Sequence, residues 1–540
     1  MSKLILTTAL AAGLALTNVG RPLHPAAASF PSDDKTIVHV LNRIGFGPRP
    51  GDIAKVREIG LQRYIEQQLR PERIPDEGMA ARLAGLTTTG MSLGEMVTRF
   101  EIPQLEARRE RRREAADGRD QERPPQPSPE MQRGNRPIVE LSEQKLLRAI
   151  YSERQLQEVL ADFWFNHFNV DARKGRDRFM VTEYERETVR PRVLGKFRDL
   201  LEATAKSPAM LFYLDNWMSA DPNGPHVDPR LASRQRFGRR PFGGGPVFPR
   251  PPAGQNDQAK KAPRGLNENY GRELMELHTL GVDGGYTQKD VTEVARAFTG
   301  WTIENPRQGA GFRFEPRIHD PGEKVVLGHR IKAGGGEGDG EQVLDILSRH
   351  PATAHFIVTK LVQRFVSDTP PASLVNRAAE RFRQTDGDLR EVMRTILTSP
   401  EFLSPDAYRA KVKTPFDFIV SAVRATEADV TDAVPLVRTL QQLGMPLYLC
   451  QPPTGYKDAA ETWVNAGALL NRMNFAVALA SNQTRGITID SRQPTLDSNE
   501  RVKTVLNGDV SDATLATISK ATTAPQMLAL TLGAPEFQRR

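Results

Sequence analysis

Thr36-Ile37-Val38-His39-Val40-Leu41-Asn42-Arg43-Ile44-Gly45-Phe46-Gly47-Pro48 places apolar residues at Ile37, Val40, Leu41 and Ile44. That is the i, i+3, i+4, i+7 spacing of one buried helix face, and Gly45 to Pro48 then supplies residues that stop a helix. The next run begins at Ile53, Val56, Ile59 and Leu61. The same texture returns at Leu146, Leu147 and Ile150, at Leu156, Val159, Leu160 and Phe163, and at Val343, Leu344, Ile346 and Leu347 before His350-Pro351. Strict two-residue alternation is rare. Gly311 to Phe314 and Lys324 to Leu327, on either side of a Pro/Gly turn, predict one short hairpin. Ser207-Pro208, Ser399-Pro400 and Ala534-Pro535 each follow an apolar run, a device that ends a helix. Their spacings share no short period, which argues against a solenoid. The reading is an all-α fold: a single large multi-helix domain over residues 32–538, with one short hairpin.

At roughly 150 residues per domain, 540 residues would divide into three or four units. The periodicity instead argues for one domain broken by two insertions. The first, 104–136, starts as a mixed-charge helix (Arg108, Arg109, Glu110, Arg111, Arg112, Arg113) and passes into a Pro-rich linker. The second, 221–266, is rich in Arg, Gly and Pro, has no periodicity, and reads as a disordered surface insertion. The net charge of +8 looks at first like a nucleic-acid signal. Lys3 and Arg21 carry two of those charges, and 221–266 holds nine basic residues against three acidic ones. The remaining body is formally neutral, so no specific nucleic-acid partner is expected.

Residues 1–28 have Lys3, an apolar stretch from Leu4 to about Leu16 and a small-residue end at Ala26-Ala27-Ala28, the layout of a cleaved signal peptide. The apolar run is too short to span a bilayer and no later segment is long enough. An exported protein, periplasmic or extracellular and without a transmembrane anchor, is the expectation. The one cysteine, Cys450, excludes an internal disulfide framework and any multi-thiolate zinc site.

Three patches carry chemistry. In Asp162-Phe163-Trp164-Phe165-Asn166-His167, a histidine is walled by aromatic residues. It suits a metal ligand, a general base, a sugar-stacking platform or a core histidine donating to a carbonyl. Tyr213-Leu214-Asp215-Asn216-Trp217 sets a carboxylate, an amide and an indole at a loop entrance. Second, Asn267 caps a helix whose Tyr270, Leu274 and Leu277 face the core, with Asn269, Glu273 and Glu276 on one side. Glu273, Glu276 and His278 resemble the inward ligand sets of helical metal sites, while Arg272 could pair internally with either glutamate. Third, Thr287 and Asp290 are spaced as a capping box, and His319-Asp320 concentrates a base and an acid in a turn. The expected catalytic groups are Glu273, Glu276, His278, His319 and Asp320. Expected substrate contacts are Trp164, Asp215, Asn216, Asn267, Arg272 and Trp301. A divalent metal, if bound, falls to His167 and His278. There is no Gly-x-Ser-x-Gly elbow, no Walker loop, no His-Glu-x-x-His and no haem attachment motif, which disfavours the familiar enzymes built on them.

Leu41 to Gly47, the Asn267 to Gly281 run, Asp290 to Trp301 with its Ala297-Phe298-Thr299-Gly300-Trp301, and His319-Asp320 together resemble the domain-of-unknown-function 1800 family. The resemblance covers about Thr36 to Phe537 and includes Gly455-Tyr456 and Trp463. Family members typically carry alanine where this chain has Gly271, a departure expected to weaken the helix slightly. The resemblance implies a large helical exported bacterial protein with no established activity, often encoded beside a secreted partner of the domain-of-unknown-function 1501 family. The resulting expectation is an exported enzyme or enzyme subunit, hydrolase-like, acting on an envelope or extracellular polymer. Its competitor is a helical scaffold that supports a co-exported enzyme.

Overall fold

A computed structural model of the chain describes residues 33–116, 133–224, 265–305, 311–489 and 498–540. The signal-peptide reading of 1–28, the Pro-rich linker over 117–132 and the insertion over 225–264 lie outside the described residues. The mixed-charge start of the first insertion is helical, over Ile102–Ala116.

The opening stretch folds as its spacing demands. Helix Asp34–Ile44 buries Ile37, Val40, Leu41 and Ile44, and Asp33 caps it by accepting from the Thr36 amide at 3.0 Å. Gly60 divides the next run into Asp52–Ile59 and Leu61–Gln68. Helices then follow one another to Pro535–Gln538 and bury a single continuous apolar core that runs from Ile37 to Phe537. Principal partners are Pro351–Phe365 with Ala372–Gln384, Glu268–Met275 with Gln288–Ala297, and Ala466–Ala480 with Ala524–Gly533. The fold is mostly all-α, and among the described residues no helix is long and apolar enough to cross a membrane.

Two details differ from the sequence reading. The Ser-Pro and Ala-Pro steps do not simply end helices: Pro208 and Pro535 each open the next one, where a proline lacks only an amide that has no helical partner anyway. Likewise His350-Pro351 restarts the chain as Pro351–Phe365, with the His350 ring accepting from the Ala352 amide at 3.2 Å. The two expected strand segments also form, but not as one hairpin. Phe312–Phe314 (β2) pairs antiparallel with Trp301–Ile303 (β1), and Lys324–Val326 (β3) pairs with His329–Ile331 (β4). A tight turn at Leu327 and Gly328 closes the second ribbon inside its own segment, which leaves β2 to find β1. A third small ribbon joins Asp429–Val430 (β5) to Ile487–Thr488 (β6).

The Asn267 helix is capped as expected, Asn267 Oδ1 accepting from the Asn269 amide at 3.0 Å. Tyr270 and Leu274 are buried, yet Leu277 is only half-buried, because the helix widens to π geometry over Glu276–Leu280 and turns His278 inward instead. At Gly271 an added Cβ would lie 2.9 Å from the Val291 carbonyl oxygen and 3.2 Å from the Ala295 amide nitrogen. The glycine therefore lets helices Glu268–Met275 and Gln288–Ala297 approach backbone to backbone. Alanine would gain up to about 1 kcal/mol of helix propensity but lose roughly 1–3 kcal/mol to overpacking. Gly271→Ala is expected to destabilise the fold by about 1 kcal/mol net, read from the urea midpoint; a midpoint at or above that of the parent protein contradicts the close-packing account.

Candidate functional site

Helix Gln155–His167 buries Leu156, Val159, Leu160 and Trp164 and so turns Asp162, Phe163, Asn166 and His167 toward one cavity. Helix Pro351–Phe365 buries Ile357, Val358, Leu361, Val362 and Phe365 and presents Lys360, Gln363 and Arg364 to the same space. Residues 454–463 close a third side with Tyr456, Asp458, Glu461 and Trp463, and the cavity encloses about 320 Å³. That loop is stapled in place. Asn166 Nδ2 donates to the Tyr456 carbonyl at 2.8 Å and its Oδ1 accepts from the Tyr456 amide at 2.7 Å. Gly455 makes the staple possible: its φ is +69°, and a Cβ there would stand 2.2 Å from the Asn166 carbonyl oxygen.

At the centre, Lys360 Nζ lies 3.0 Å from His167 Nδ1, while His167 Nε2 lies 3.1 Å from the His278 carbonyl oxygen. A carbonyl can only accept, so Nε2 carries the proton and Nδ1 accepts from the lysine. Phe163 stacks parallel to the imidazole, and Trp164 and Phe168 present edges to it. Burial, followed by the charge of Lys360 and the proximity of His278, pushes the His167 imidazole well below its usual range, so it stays neutral. Burial likewise pushes the Lys360 ammonium down to about 8. Among the described residues no carboxylate forms an ion pair with Lys360. Of the acids lining the cavity, Asp162 is committed to Lys145 at 2.6 Å and Asp458 to Lys411 at 3.2 Å, while Glu461 makes no ion pair with a described residue. The result is an amine that can shed its proton near neutral pH beside a neutral hydrogen-bond acceptor, in a pocket with aromatic walls.

Of the residues expected from sequence, His167 alone lines this cavity. His278 stands against it from behind, its ring centroid 6.4 Å from that of His167, and is pushed down to about 3 by burial and then by Lys360. Both histidines meet, but His167 has no ring nitrogen left for a metal. Among the described residues no group of three or more His, Cys, Asp and Glu could hold one. Glu273 and Glu276 sit together off the pocket. Burial and then Glu276 raise the Glu273 carboxyl, and Glu276 accepts from the Tyr286 hydroxyl at 3.0 Å. Arg272 turns to Gln288 at 2.7 Å rather than to either glutamate.

His319 and Asp320 belong to a separate, closed network. His319 Nδ1 is 2.8 Å from the Thr299 carbonyl oxygen and Nε2 is 3.2 Å from Asp339. Arg296 grips Asp320 at 2.7 and 3.1 Å, and the fully buried Lys324 donates to Asp339 at 2.7 Å and to the Asp320 carbonyl at 2.7 Å. Burial alone would raise the Asp320 carboxyl; the Arg296 hydrogen bonds outweigh it and hold it below the usual range. Trp164 and Trp301 are core residues with no exposed surface. Asn216 is buried and donates to the Phe298 and Trp301 carbonyls, Asn267 donates to the Leu214 carbonyl beyond its capping role, and Asp215 pairs with Lys174 at 2.7 Å. Asn216, Asn267 and Asp215 belong to the 214–219 region beside β1, whereas Trp164 packs under His167 and donates to the Val193 carbonyl at 3.2 Å.

Sequence reading missed Lys360. Its signal was faint: it sits at i+3 from Ile357 and next to Leu361, a cation at the border of the buried stripe of its helix, with Gln363 and Arg364 at i+3 and i+4 on the same side.

A family model described as protein of unknown function (DUF1800) matches residues 39–539. No curated protein and no solved structure matches the chain.

The depressed lysine has a stability signature. Below about pH 8 the folded state holds a partly buried ammonium at a cost that the unfolded chain does not bear. Between about 8 and the ordinary 10.5 the folded amine is neutral while the unfolded one is still protonated, so stability rises with pH across that window. Lys360→Met should therefore stabilise the protein at pH 7, and the gain should shrink on going to pH 10, as followed by denaturant unfolding at both pH values. A gain that is absent at pH 7, or equal at both, rules out a desolvated ammonium without an ion-pair partner at this position.

Proposed function

The chain belongs to the DUF1800 family, and since that membership carries no reaction with it, we propose one from the pocket: acid–base catalysis by the Lys360 amine on a unit of an envelope or extracellular polymer. The observation that carries the reading is the Lys360 to His167 contact, an amine lowered to about 8 with no carboxylate partner, opening into a cavity of about 320 Å³. A base works best when its pKa lies near the working pH. Neutral Lys360 would take a proton from a water that attacks the linkage between two units, and the ammonium so formed would return that proton to the leaving oxygen as the linkage breaks. His167, unable to take up a second proton, keeps the amine aimed by accepting one of its N–H bonds at Nδ1. Tyr456 and Trp463, with ring centroids 6.0 Å apart, line the wall against which the apolar face of a sugar ring can lie. Export, which the layout of residues 1–28 supports, would set this chemistry outside the cytoplasm, in the periplasm or beyond.

The second reading is a non-catalytic scaffold or partner subunit for a co-exported enzyme, for which the proposed partner is a protein of the domain-of-unknown-function 1501 family. A specific observation favours it. Val464, Leu469, Leu470 and Val477, in and just before helix Ala466–Ala480, are 48%, 42%, 62% and 48% exposed, an apolar edge beginning next to Trp463.

Incubation of the purified protein with a panel of envelope and extracellular polysaccharides, with chain length and new ends as the readout, separates the two. Catalysis by Lys360 predicts cleavage that rises with pH to a plateau above about 8 and falls at least 100-fold in Lys360→Met. No cleavage by the parent protein, or equal cleavage by the variant, leaves the scaffold reading standing.

A further inference from the structure

A second concavity, of about 740 Å³, lies along helix Leu61–Gln68 and the turn after it, beside the start of helix Gln155–His167. Arg63, Arg70 and Arg73 line it, and none of the three makes an ion pair or a side-chain hydrogen bond with any described residue. Two carboxylates share the groove but are already neutralised. Glu66 takes a two-pronged contact from Arg394 at 2.8 and 3.1 Å, and Glu153 is held by Lys55 at 2.8 Å and Arg49 at 3.3 Å. Three guanidinium charges therefore stand locally uncompensated, on a body whose formal charge sums to zero with them included.

The walls are fixed. Gln68 donates to the Glu153 carbonyl at 2.9 Å and accepts from the Leu156 amide at 3.1 Å, and Arg154 donates to the Ile74 carbonyl at 2.9 Å. Such walls set the direction of the groove without help from a ligand, so binding orders only the arginine side chains.

We propose that this groove is a binding site for an acidic polysaccharide, whose carboxylate or sulfate groups the three guanidinium forks would take two-pronged. Single-stranded nucleic acid fits less well, because that class is held by stacking on aromatic rings and no aromatic residue lines the groove. Gln67 and the carboxylates of Glu66 and Glu153 instead offer partners to sugar hydroxyls between the acidic groups. The proposal concerns binding alone and rests on Arg63, Arg70 and Arg73, not on Lys360. Its failure and the failure of the catalytic reading are therefore separate results.

The test is binding of the full chain to immobilised polygalacturonate, with the methyl-esterified polymer and duplex DNA of matched charge as comparators. Polygalacturonate should bind, more weakly as salt rises, and at least tenfold more tightly than either comparator. The triple change Arg63→Ala, Arg70→Ala, Arg73→Ala should weaken binding at least tenfold without moving the thermal midpoint, since no folded-state partner is lost. The basic stretch between 221 and 266 is untouched in that variant. Undiminished binding by it would transfer the affinity elsewhere and overturn the proposal, as would DNA or the methyl ester binding as well as polygalacturonate.

Discussion

Beneath the Lys360 cavity lies a buried ionic cluster on which the geometry above it rests. Arg364 forks onto Asp417 at 3.0 and 3.3 Å, and Arg540 approaches Asp417 at 3.4 Å and Asp458 at 3.5 Å. Lys411 lies 3.2 Å from Asp458 and also pairs with Asp368. Three cations thus face three carboxylates. Removing one member of such a set strands an opposite charge in low dielectric, at a cost of roughly 3–5 kcal/mol. The cluster joins helix Pro351–Phe365 to helix Pro415–Ala425, to the 454–463 loop and to the end of the chain, where Lys411 and Arg540 exchange two main-chain hydrogen bonds. It also accounts for the solitude of Lys360. Every carboxylate of this floor is already matched, so the one further cation one turn before Arg364 finds only a neutral imidazole.

Most of the fold was legible because it is local. Ile37, Val40, Leu41 and Ile44 share a face whatever the rest of the chain does, and the caps at Asn267 and Thr287 are satisfied within three residues of themselves. What sequence could not reveal was the choice of partner. Phe312–Phe314 and Lys324–Val326 both read as strands, yet whether they pair with each other depends on the turn at Leu327 and on where Trp301 emerges from its helix. The π-turn at Glu276–Leu280 is similar: a single added residue per turn moved His278 inside and Leu277 outward, against a straight helical projection.

The site was less legible, for a different reason. Density of polar residue types along the chain marked His319, Asp320, Glu273, Arg272 and Asn216, but such density also arises where helices and short ribbons must be fastened together. Arg296, Lys324 and Asp339 do that at His319 and Asp320, leaving little unsatisfied. A reactive group tends to show the opposite pattern, one polar residue alone among apolar neighbours. His167 was noticed for its aromatic walls; Lys360, which shares its helix face with Gln363 and Arg364, offered no recognised motif around it.

The staple between Asn166 and Tyr456 spans 290 positions, and the contact between His167 and Lys360 spans 193. Contacts of such separation form late, because closing the intervening chain costs entropy before any of them is rewarded. Helices such as Asp34–Ile44 can begin to form locally, but the cavity arises only when segments from distant parts of the chain have arrived together. No excised half of the protein could carry it. Losing the hold on the 454–463 loop alone would open it while leaving helical content nearly unchanged, so ordered secondary structure and an assembled site are separate properties of this molecule.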